Sequence, residues 1–381
     1  MGPFASVNSR FKAWCTIGLI VVAPIWSSCG PTDTNRFDHR SQSQGNASQT
    51  SPQIPQIPVA VDAPLITKPS SSPALTSFHP GAVWRDTDGH VINAHGGGFY
   101  VEAGTYYWFG EQKGSDNVAR EGVSLYTSTD LYNWRREGIA LAVDTTNQNS
   151  DIGEGAVIER PEVIFNAKTK KYVMWFHLEL KGQGYGSARA GVAVSDSVRG
   201  PYNFVESFRP ISEMSRDQTL FVDSDGKAYQ FTASEENQTM HINELSDDYL
   251  TPSGKFTRVF IGRSMEAPAV IKYNGLYRLI ASGCTGWDPN AARQAVARNI
   301  MGPWQELDNP AQGPGASKTF QSQSTYILEA TPGSGKLIYI GDRWNPDNLE
   351  DSRYVWLPLQ LRGGQLTMTW HDEWDLSSIL Q

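Results

Sequence analysis

Residues 103–111 read AGTYYWFGE, and four later segments of the chain repeat this pattern. In each copy a turn residue is followed by aromatic and β-branched residues, a composition typical of a strand that begins after a tight turn. The repeats stand at 169–179 (TKKYVMWFHLE), 225–235 (DGKAYQFTASE), 274–283 (NGLYRLIASG) and 334–343 (SGKLIYIGDR). Consecutive copies begin 49 to 66 residues apart, roughly fifty to sixty in most cases, and this period decides the fold.

A second pattern follows several of these strands. The segments LYTSTDLYNW, VAVSDSVRGPYNF and AVARNIMGPWQEL each run from strand-forming residues through a polar turn to an aromatic residue. Few segments show helical periodicity over three turns. Short strands at a fixed long period are typical of a propeller with four strands per blade, and two sandwich domains would not explain that period. The five units therefore predict an all-β, five-bladed β-propeller.

Residues 1–28 have the features of a signal peptide. Arg10 and Lys12 give a positive start, and an apolar run too short to span a membrane ends at SSCG. This pattern resembles a bacterial lipoprotein signal, in which Cys29 is lipidated after cleavage. Trp26 stands where a smaller residue is usual, so ordinary secretory cleavage is the alternative. Export is expected in either form, and the membrane is expected to be contacted only through the lipid anchor.

The chain after the signal divides into two parts. Residues 29–77 are rich in Ser, Pro, Gln, Thr and Asn, so they cannot bury enough apolar surface to offset ordering entropy and are predicted to be a disordered tether. Residues 78–381 are predicted to form the propeller. Cys29 and Cys284 are the cysteines left after cleavage, too few for a disulfide framework or a Cys-based zinc site. Cys284 is predicted to be a small buried apolar residue.

Composition limits the kind of partner. The net charge of -8 and the pI near 5.4 argue against nucleic acid. Aromatic residues make up 11% of the chain, with 12 Trp, and such chains suit neutral ligands with apolar faces, of which sugars are the commonest. We therefore expect an oligosaccharide or polysaccharide substrate, no required cofactor and a monomer.

The beginnings of the innermost strands are where a propeller site is expected. These strands line the central axis, and residues from all blades converge at one end of it. The segments VINAHGGGF, ERPEVIFN, RDQTLFVD, EAPAVIKY and QSQSTYIL place comparable side chains there, namely His95, Glu159, Asp217, Glu266 and Gln323. Carboxylates gathered on one axis repel, so at least one should have a raised pKa, as a general acid for glycosidic cleavage requires.

The glycine run of AHGGG raises two alternatives. A phosphate loop would lead from a strand into a helix, whereas GGG leads into the strand-like FYVEAGTYYW, and no G-x-S-x-G nucleophile motif is present. His95 without spaced partners is poor evidence for zinc, although a structural calcium ion on the axis stays open. The glycines are expected to let the strand crowd the axis and a sugar approach the backbone.

Several motifs in order carry a family resemblance. AHGGG, YYWFGE, ERPEVIFN, TGWDPN, FQSQST and GDRWNP, spread over 78–381, resemble those of glycoside hydrolase family 43, and within it those of the exo-β-1,3-galactanases and β-1,3-galactosidases. The resemblance implies a five-bladed propeller that cleaves glycosidic bonds with inversion. It implies Glu266, in EAPAVIK, as the general acid. Asp217, in RDQTLFVD, would orient this acid and raise its pKa.

The sequence departs from the wider family in blade one. Most members carry an aspartate there that acts as the general base, whereas this chain has NAHGGG. The galactanase-like subfamily shares that absence, and its glutamine, here Gln323, has been proposed to handle the water. An unmodified amide is a very poor base, so Glu159 is the nearest alternative carboxylate.

Further residues are predicted to bind the substrate. The resemblance puts Glu111, at the end of YYWFGE, against the terminal sugar. The other predicted contacts are His95, Tyr185, Glu236, Asn237 and Trp287. Structural alternatives stay open for some of them: a core histidine, a solvated turn for the Glu-Asn pair, and an aromatic wedge in the core for the tryptophan.

The expected function is release of terminal galactose from β-1,3-linked galactan or arabinogalactan by an exported inverting hydrolase. One alternative keeps the enzyme class but changes the sugar, to an α-L-arabinofuranosidase or β-xylosidase of the same family. The other is a propeller that binds glycans without cleaving them, suggested by the missing conventional base.

Overall fold

The structure is a computed structural model that describes residues 73–147 and 149–379. The predicted signal peptide, Cys29 and most of the predicted tether lie outside the described residues. In the described part, 21 strands form five sheets. Four sheets are antiparallel meanders in which consecutive strands are neighbours, and the fifth is such a meander with one short parallel strand added at its edge.

The strands are grouped blade by blade. Blade one contains β1 (His95–Glu102), β2 (Thr105–Glu111), β3 (Gly122–Ser128) and β4 (Arg135–Ala142). Blade two contains β5 (Val157–Asn166), β6 (Lys171–Glu179), β7 (Arg189–Ser195) and β8 (Asn203–Phe208). Blade three contains β9 (Gln218–Val222), β10 (Ala228–Ser234), β11 (Thr239–Leu245) and β12 (Pro252–Val259). Blade four contains β13 (Met265–Tyr273), β14 (Leu276–Gly283), β15 (Arg293–Ala297) and β16 (Gln305–Leu307).

Blade five is made from the C-terminal strands. It contains β18 (Gln323–Glu329), β19 (Leu337–Arg343), β20 (Arg353–Arg362) and β21 (Gln365–Thr369), with the short β17 (Ala311–Gln312) parallel to β21. The first strands of the blades, β1, β5, β9, β13 and β18, contact one another in a closed ring. The predicted five-bladed propeller is confirmed, and the five repeated segments are the second strands of the blades.

Turn chemistry explains the inner hairpins. Between β1 and β2, Ala103 and Gly104 have φ of 49° and 78°, and between β13 and β14, Asn274 and Gly275 have φ of 50° and 73°. Two consecutive positive φ values are the type I′ geometry, whose twist matches that of the flanking strands. The AG and NG pairs of the repeats thus fix the register of these hairpins.

Aromatic residues join blade five to blade one and close the ring. Trp108, Trp134 and Trp356 are buried between these blades, and Phe78 stacks on Trp374 with ring centroids 4.3 Å apart. Phe78 also exchanges backbone hydrogen bonds of 2.7 and 3.1 Å with Trp374. Much of the aromatic content that we associated with sugar binding therefore fills the core, because large flat side chains wedge between twisted sheets.

Helical structure is confined to single turns in the described part. These 3-10 turns are Pro210–Ser212, Ala316–Lys318, Leu349–Asp351 and Leu376–Ser378. Among the residues that the structure describes, no helix combines the length and the apolar character that crossing a membrane requires.

A β-bulge interrupts four of the five inner strands near their beginning. The register shifts lie at His95/Gly98 in β1, Glu159/Glu162 in β5, Glu266/Ala269 in β13 and Ser324/Tyr326 in β18. In three of them the residue after the strand-opening side chain has a positive φ: 54° at Gly96, 52° at Arg160 and 52° at Ala267. Bulges redirect side chains beside functional sites, so the equivalence predicted for these positions has a structural basis.

The glycines of AHGGG are buried against protein groups, not against open space for a sugar. A side chain on Gly96 would lie 2.0 Å from Glu111 Oε1, and one on Gly98 would lie 2.3 Å from Glu162 Cγ. The glycines therefore admit neighbouring side chains and strands to the axis. The expectation that they let a sugar approach the backbone is wrong for this reason.

Gly97 is expected to be the least replaceable of them. A Cβ there would meet the Phe109 carbonyl oxygen at 2.1 Å, and backbone cannot move aside as a side chain can. Gly97→Ala should cost about 1–3 kcal/mol of unfolding free energy or more, measured by urea titration. The matched control is Gly114→Ala, whose Cβ would meet only the exposed, flexible Arg120 guanidinium at 2.6 Å. Equal urea midpoints for the two variants would contradict the expectation.

Candidate active site

A cavity of about 320 Å³ opens where the inner strands begin. This volume is within the usual range for small-molecule sites. Eight of the residues predicted from the sequence line it, namely Glu111, Glu159, Tyr185, Asp217, Asn237, Glu266, Trp287 and Gln323. The remaining lining residues are Arg160, His177, Arg216, Thr285, Gly286 and Trp344.

Glu266 is the acid group of the cavity. Burial raises its pKa to about 8, and the negative charge of Asp217 adds to the effect. Its Oε1 accepts a hydrogen bond from Gln323 Nε2 and its Oε2 accepts one from Asn237 Nδ2, both at 3.2 Å. A carboxyl group held in this way keeps its proton at neutral pH and can donate it to a bound molecule.

Both the oxygen and the NH2 group of the Gln323 amide are fully hydrogen-bonded. Its Oε1 accepts hydrogen bonds from Arg160 Nη2 at 2.6 Å and from the Trp344 indole N–H at 2.9 Å. Its Nε2 donates to Glu266 and, at 3.2 Å, to Ser282 Oγ. The orientation of the amide is therefore fixed, and its oxygen has no free lone pair for a further proton.

Arg160 is the central cation of the site. Besides Gln323, its guanidinium contacts Asp217 Oδ2 at 3.2 Å and Thr325 Oγ1 at 2.7 Å. Its backbone N–H donates to Glu111 Oε1 at 2.9 Å. Arg160 follows Glu159 directly in β5, and a pair between these neighbours would be the simplest arrangement of their charges. The structure instead pairs Arg160 with Asp217, because the bulge turns consecutive side chains of β5 in different directions.

Lys113 joins the two carboxylates on the other side of the cavity. Its Nζ lies 2.6 Å from Glu111 Oε2 and 3.0 Å from Glu159 Oε1, and all three side chains are buried. Burial raises the pKa of Glu111 to about 7 against the opposing charge of Lys113. Burial works in the same direction on Glu159, but Lys113 and His177 bring its pKa well below the usual range. Two carboxylates that share one lysine titrate as a pair.

His177 extends this network away from the cavity. It lies 3.4 Å from Glu159 Oε2 and 2.9 Å from Glu179 Oε1, and it is buried. Burial alone would lower the pKa of His177, but the two carboxylates raise it to about 9. Glu179 in turn accepts the Ala188 N–H at 2.8 Å. The imidazolium therefore holds Glu159 ionised and in place.

Two aromatic residues form walls of the cavity. The Tyr185 hydroxyl donates to Glu159 Oε1 at 3.0 Å, which ties the loop between β6 and β7 to the site. Trp287, in the loop after β14, meets Trp344 edge to face with centroids 5.2 Å apart. These rings offer flat apolar faces of the kind that pack against sugar rings.

Three residues differ from the leading prediction, two of them in favour of the structural alternatives left open for His95 and Glu236. His95 is fully buried outside the cavity lining, where its Nδ1 is 3.2 Å from Asp342 and its ring stacks on Tyr354. Glu236 is also outside the lining and forms an ion pair with Arg216 at 2.8 Å. Cys284, expected to be buried and apolar, is half-buried and hydrogen-bonds Asn237 and Glu266. It therefore belongs to the polar surroundings of the acid.

The residues missed by sequence reasoning left weak local signals. Lys113 follows Glu111 by two positions, the spacing at which strand side chains share a face. His177 stands between the apolar run YVMWF and Leu178, and Trp344 lies in the GDRWNP motif. Each signal was visible, but none identified the partner across the axis.

The site does not suit a divalent cation as it stands. Ligand atoms of Glu159, His177 and Asp217 come within 4.8 Å of one another. Glu159 is already bound by Lys113, Asp217 by Arg160, and the raised pKa of His177 favours its protonated form, which has no lone pair for a metal. Structural calcium elsewhere on the axis stays a prediction.

Comparison with known proteins agrees with the fold and identifies the family. Residues 83–325 match the family described as "Glycosyl hydrolases family 43". A solved β-1,3-galactosidase of this family, with galactodeoxynojirimycin, is 48% identical over 78% of this chain and 100% of its own, with a TM-score of 0.76. An exo-β-1,3-galactanase from Phanerochaete chrysosporium, with β-1,3-galactotriose, is 37% identical over 80% of this chain and 70% of its own, with a TM-score of 0.74.

A more distant curated relative is a xylan 1,3-β-xylosidase from Vibrio sp. It is 22% identical over 256 residues, which are 64% of this chain and 44% of the relative. The chain thus spans less than half the length of that protein. The match to the family over residues 83–325, together with 48% identity along a full-length family structure, shows that this chain belongs to glycoside hydrolase family 43.

Proposed function

We propose that this glycoside hydrolase releases terminal galactose from β-1,3-linked galactan or arabinogalactan, with inversion. The observation that carries the proposal is the set of side chains around Glu266, together with 48% identity to a β-1,3-galactosidase. The 37% identity to an exo-β-1,3-galactanase over 80% of this chain supports an exo-acting enzyme.

Glu266 is proposed to protonate the leaving oxygen. Its pKa of about 8 keeps the proton available at neutral pH, while Gln323 and Asn237 hold the two carboxyl oxygens in place. As the glycosidic bond breaks, positive charge develops on the sugar ring. The ionised carboxylates of the cavity stabilise that charge because they are fixed and partly removed from water.

Water is proposed to attack from the face opposite the leaving group. Gln323 is proposed to position it by exchanging one of its present hydrogen bonds for one to the water, and it does not take the proton because an amide is a very poor base. The proton acceptor is the pair of Glu111 and Glu159 joined by Lys113. Glu159 is thus proposed as the base, as the sequence predicted as an alternative, and Glu111 shares this role.

A second candidate function is favoured by one relative. The xylosidase from Vibrio is 22% identical over 64% of this chain, so release of a pentose is the alternative, as β-xylosidase or α-L-arabinofuranosidase. A panel of β-galactoside, β-xyloside and α-L-arabinofuranoside substrates separates the two. The proposal requires that kcat/KM be highest for the β-galactoside by at least tenfold. Preference for either pentoside would replace it with the second candidate.

Asp217 is expected to move the alkaline fall of activity to higher pH. Its negative charge helps to raise the pKa of Glu266, so Asp217→Asn should lower that pKa and move the alkaline fall of kcat/KM to lower pH. Burial, the larger cause, is unchanged, and the fall should remain above the ordinary range of a glutamate. The measurement is the pH profile of kcat/KM for the parent and the variant. Asp196→Asn, on the surface, is the control, and an unmoved fall in Asp217→Asn would contradict the role.

Export and the lipid anchor remain part of the proposal. They rest on the lipoprotein-type signal that ends at Cys29. Mass spectrometry of the protein purified from membranes tests them. An acylated N-terminal Cys29 is expected, whereas a chain that keeps residues 1–28 would contradict processing.

A further inference from the structure

A second large cavity lies at the other end of the propeller axis. The inner strands begin at the active site, and their later residues line a cavity of about 480 Å³, which we call the distal funnel. All five inner strands contribute to it, through residues 99–101, 163–165, 220–222, 270–271 and 326–329, together with Pro332. The funnel and the active site therefore open on opposite faces.

The distal funnel is apolar. Its lining is aliphatic and aromatic apart from Glu329, whose carboxylate oxygens accept the backbone N–H groups of Gly333 and Gly335 at 2.8 and 2.6 Å. Val222 is 36% exposed, and Phe221 and Ile271 are half-buried. A concave apolar surface of this kind indicates a contact with another apolar group.

The chain enters the described structure on this same face. The Leu75 N–H donates to Asn133 Oδ1, and Asn133 Nδ2 donates to the Leu75 carbonyl, both at 2.8 Å. Asn133 lies in the turn between β3 and β4. The end of β3 that precedes this turn pairs with the start of β2, which is the end of the blade away from Glu111. The residues before Leu75 therefore approach from the funnel side.

The sequence just upstream contains one apolar stretch. Residues 54–66 read IPQIPVAVDAPLI, in which only Gln56 and Asp62 are polar, whereas residues 30–53 are mostly polar. The nine residues 67–75 can span about 30 Å when extended. The third strand of a blade lies only about 10 Å from the first. The apolar stretch can therefore reach the funnel from Leu75.

We propose that residues 54–66, an apolar exception within the segment predicted to be a disordered tether, dock in the distal funnel of the same molecule. Its isoleucine, valine and leucine side chains match the apolar lining, and its three prolines bring no N–H groups that would lose hydrogen bonds there. Docking covers the exposed end of the axis and keeps the N-terminal segment away from the catalytic face. The proposal is independent of which sugar the enzyme releases.

Photo-cross-linking in the full chain tests the docking. A benzoylphenylalanine probe replaces Val61, and a control probe replaces Ser43 in the polar part. The probe at 61 should label peptides that carry residues 220–222 or 270–271, within one molecule and with a yield that does not change on dilution. The control probe should give severalfold less. Val222→Asp should reduce the yield at 61, and Ile271→Lys serves the same purpose if the first variant fails to fold.

Three outcomes would overturn the proposal. Cross-links to a second copy, with a yield that falls on dilution, would make the funnel an interface between chains. Cross-links to a different protein would assign it to an external partner. A yield at 61 no higher than at 43 would show that the segment does not occupy the funnel.

Discussion

Glu266→Gln is expected to lower kcat on β-1,3-galactan by about 10²–10⁴-fold, the range that a positioned general acid contributes. The substitution keeps the shape of the side chain and removes its acidic proton. The fold should be preserved, because the new amide oxygen can still accept the Gln323 N–H, and Asn237 can turn its Oδ1, which is unpaired among the described residues, toward the new N–H. Circular dichroism and urea unfolding check this. The parent enzyme should also lose activity as the pH rises through about 8, where Glu266 gives up its proton.

A substrate with a good leaving group shows whether Glu266 acts by protonating the leaving oxygen. The dinitrophenolate of a dinitrophenyl β-galactoside leaves without being protonated. Glu266→Gln should therefore lose far less activity on this substrate than on galactan. The matched control is Glu162→Gln, another buried carboxyl whose pKa is raised to about 8, but which lies outside the cavity and accepts the Leu220 N–H. This control should keep both the activity and the alkaline fall. An equal loss on both substrates would assign the proton donor to another residue.

Lys113→Met is expected to destabilise the fold by about 3–5 kcal/mol, because removing one partner leaves buried charges uncompensated. The lysine is the shared partner of Glu111 and Glu159, and all three side chains are buried. Without it the pKa of Glu111, already raised to about 7 by burial, rises further above the unfolded value, whereas Glu159 keeps His177 as a partner. The loss should therefore be largest above pH 7 and shrink toward pH 5, where Glu111 is protonated.

A surface pair provides the control for this experiment. Lys168 lies 2.9 Å from Asp247, but their side chains are 68% and 92% exposed. Lys168→Met should leave the urea midpoint unchanged within error, because exposed ion pairs contribute little. If Lys113→Met also left the urea midpoint unchanged, or if its effect did not depend on pH, the network of Lys113, Glu111 and Glu159 would not contribute to stability in this way.

The sequence predicted the fold because the relevant information is local. The strands can be predicted from their aromatic and β-branched residues, and turns such as Asn274–Gly275 require residues that tolerate positive φ. The inner-strand beginnings could also be aligned, and Glu159, Glu266 and Gln323 do meet in one cavity. These features depend on a few neighbouring residues in the chain.

The charge pairing could not be predicted in the same way. Arg160 pairs with Asp217 and Gln323, which are on different blades, and the bulge after Glu159 decides which way each side chain points. His95 occupies the strand-opening position of blade one, yet it is buried against Asp342 of blade five. Such contacts depend on how five sheets pack around one axis, and a single sequence does not contain that geometry in readable form.

Hydrolysis of β-1,3-galactotriose, followed by proton NMR, tests the proposed function most directly. Galactose and the disaccharide are the expected first products. The new galactose should appear first as the α-anomer, because inversion of a β linkage produces it before mutarotation. Early β-galactose would contradict inversion. No galactose release, while a xyloside or arabinofuranoside is cleaved, would contradict the assigned substrate.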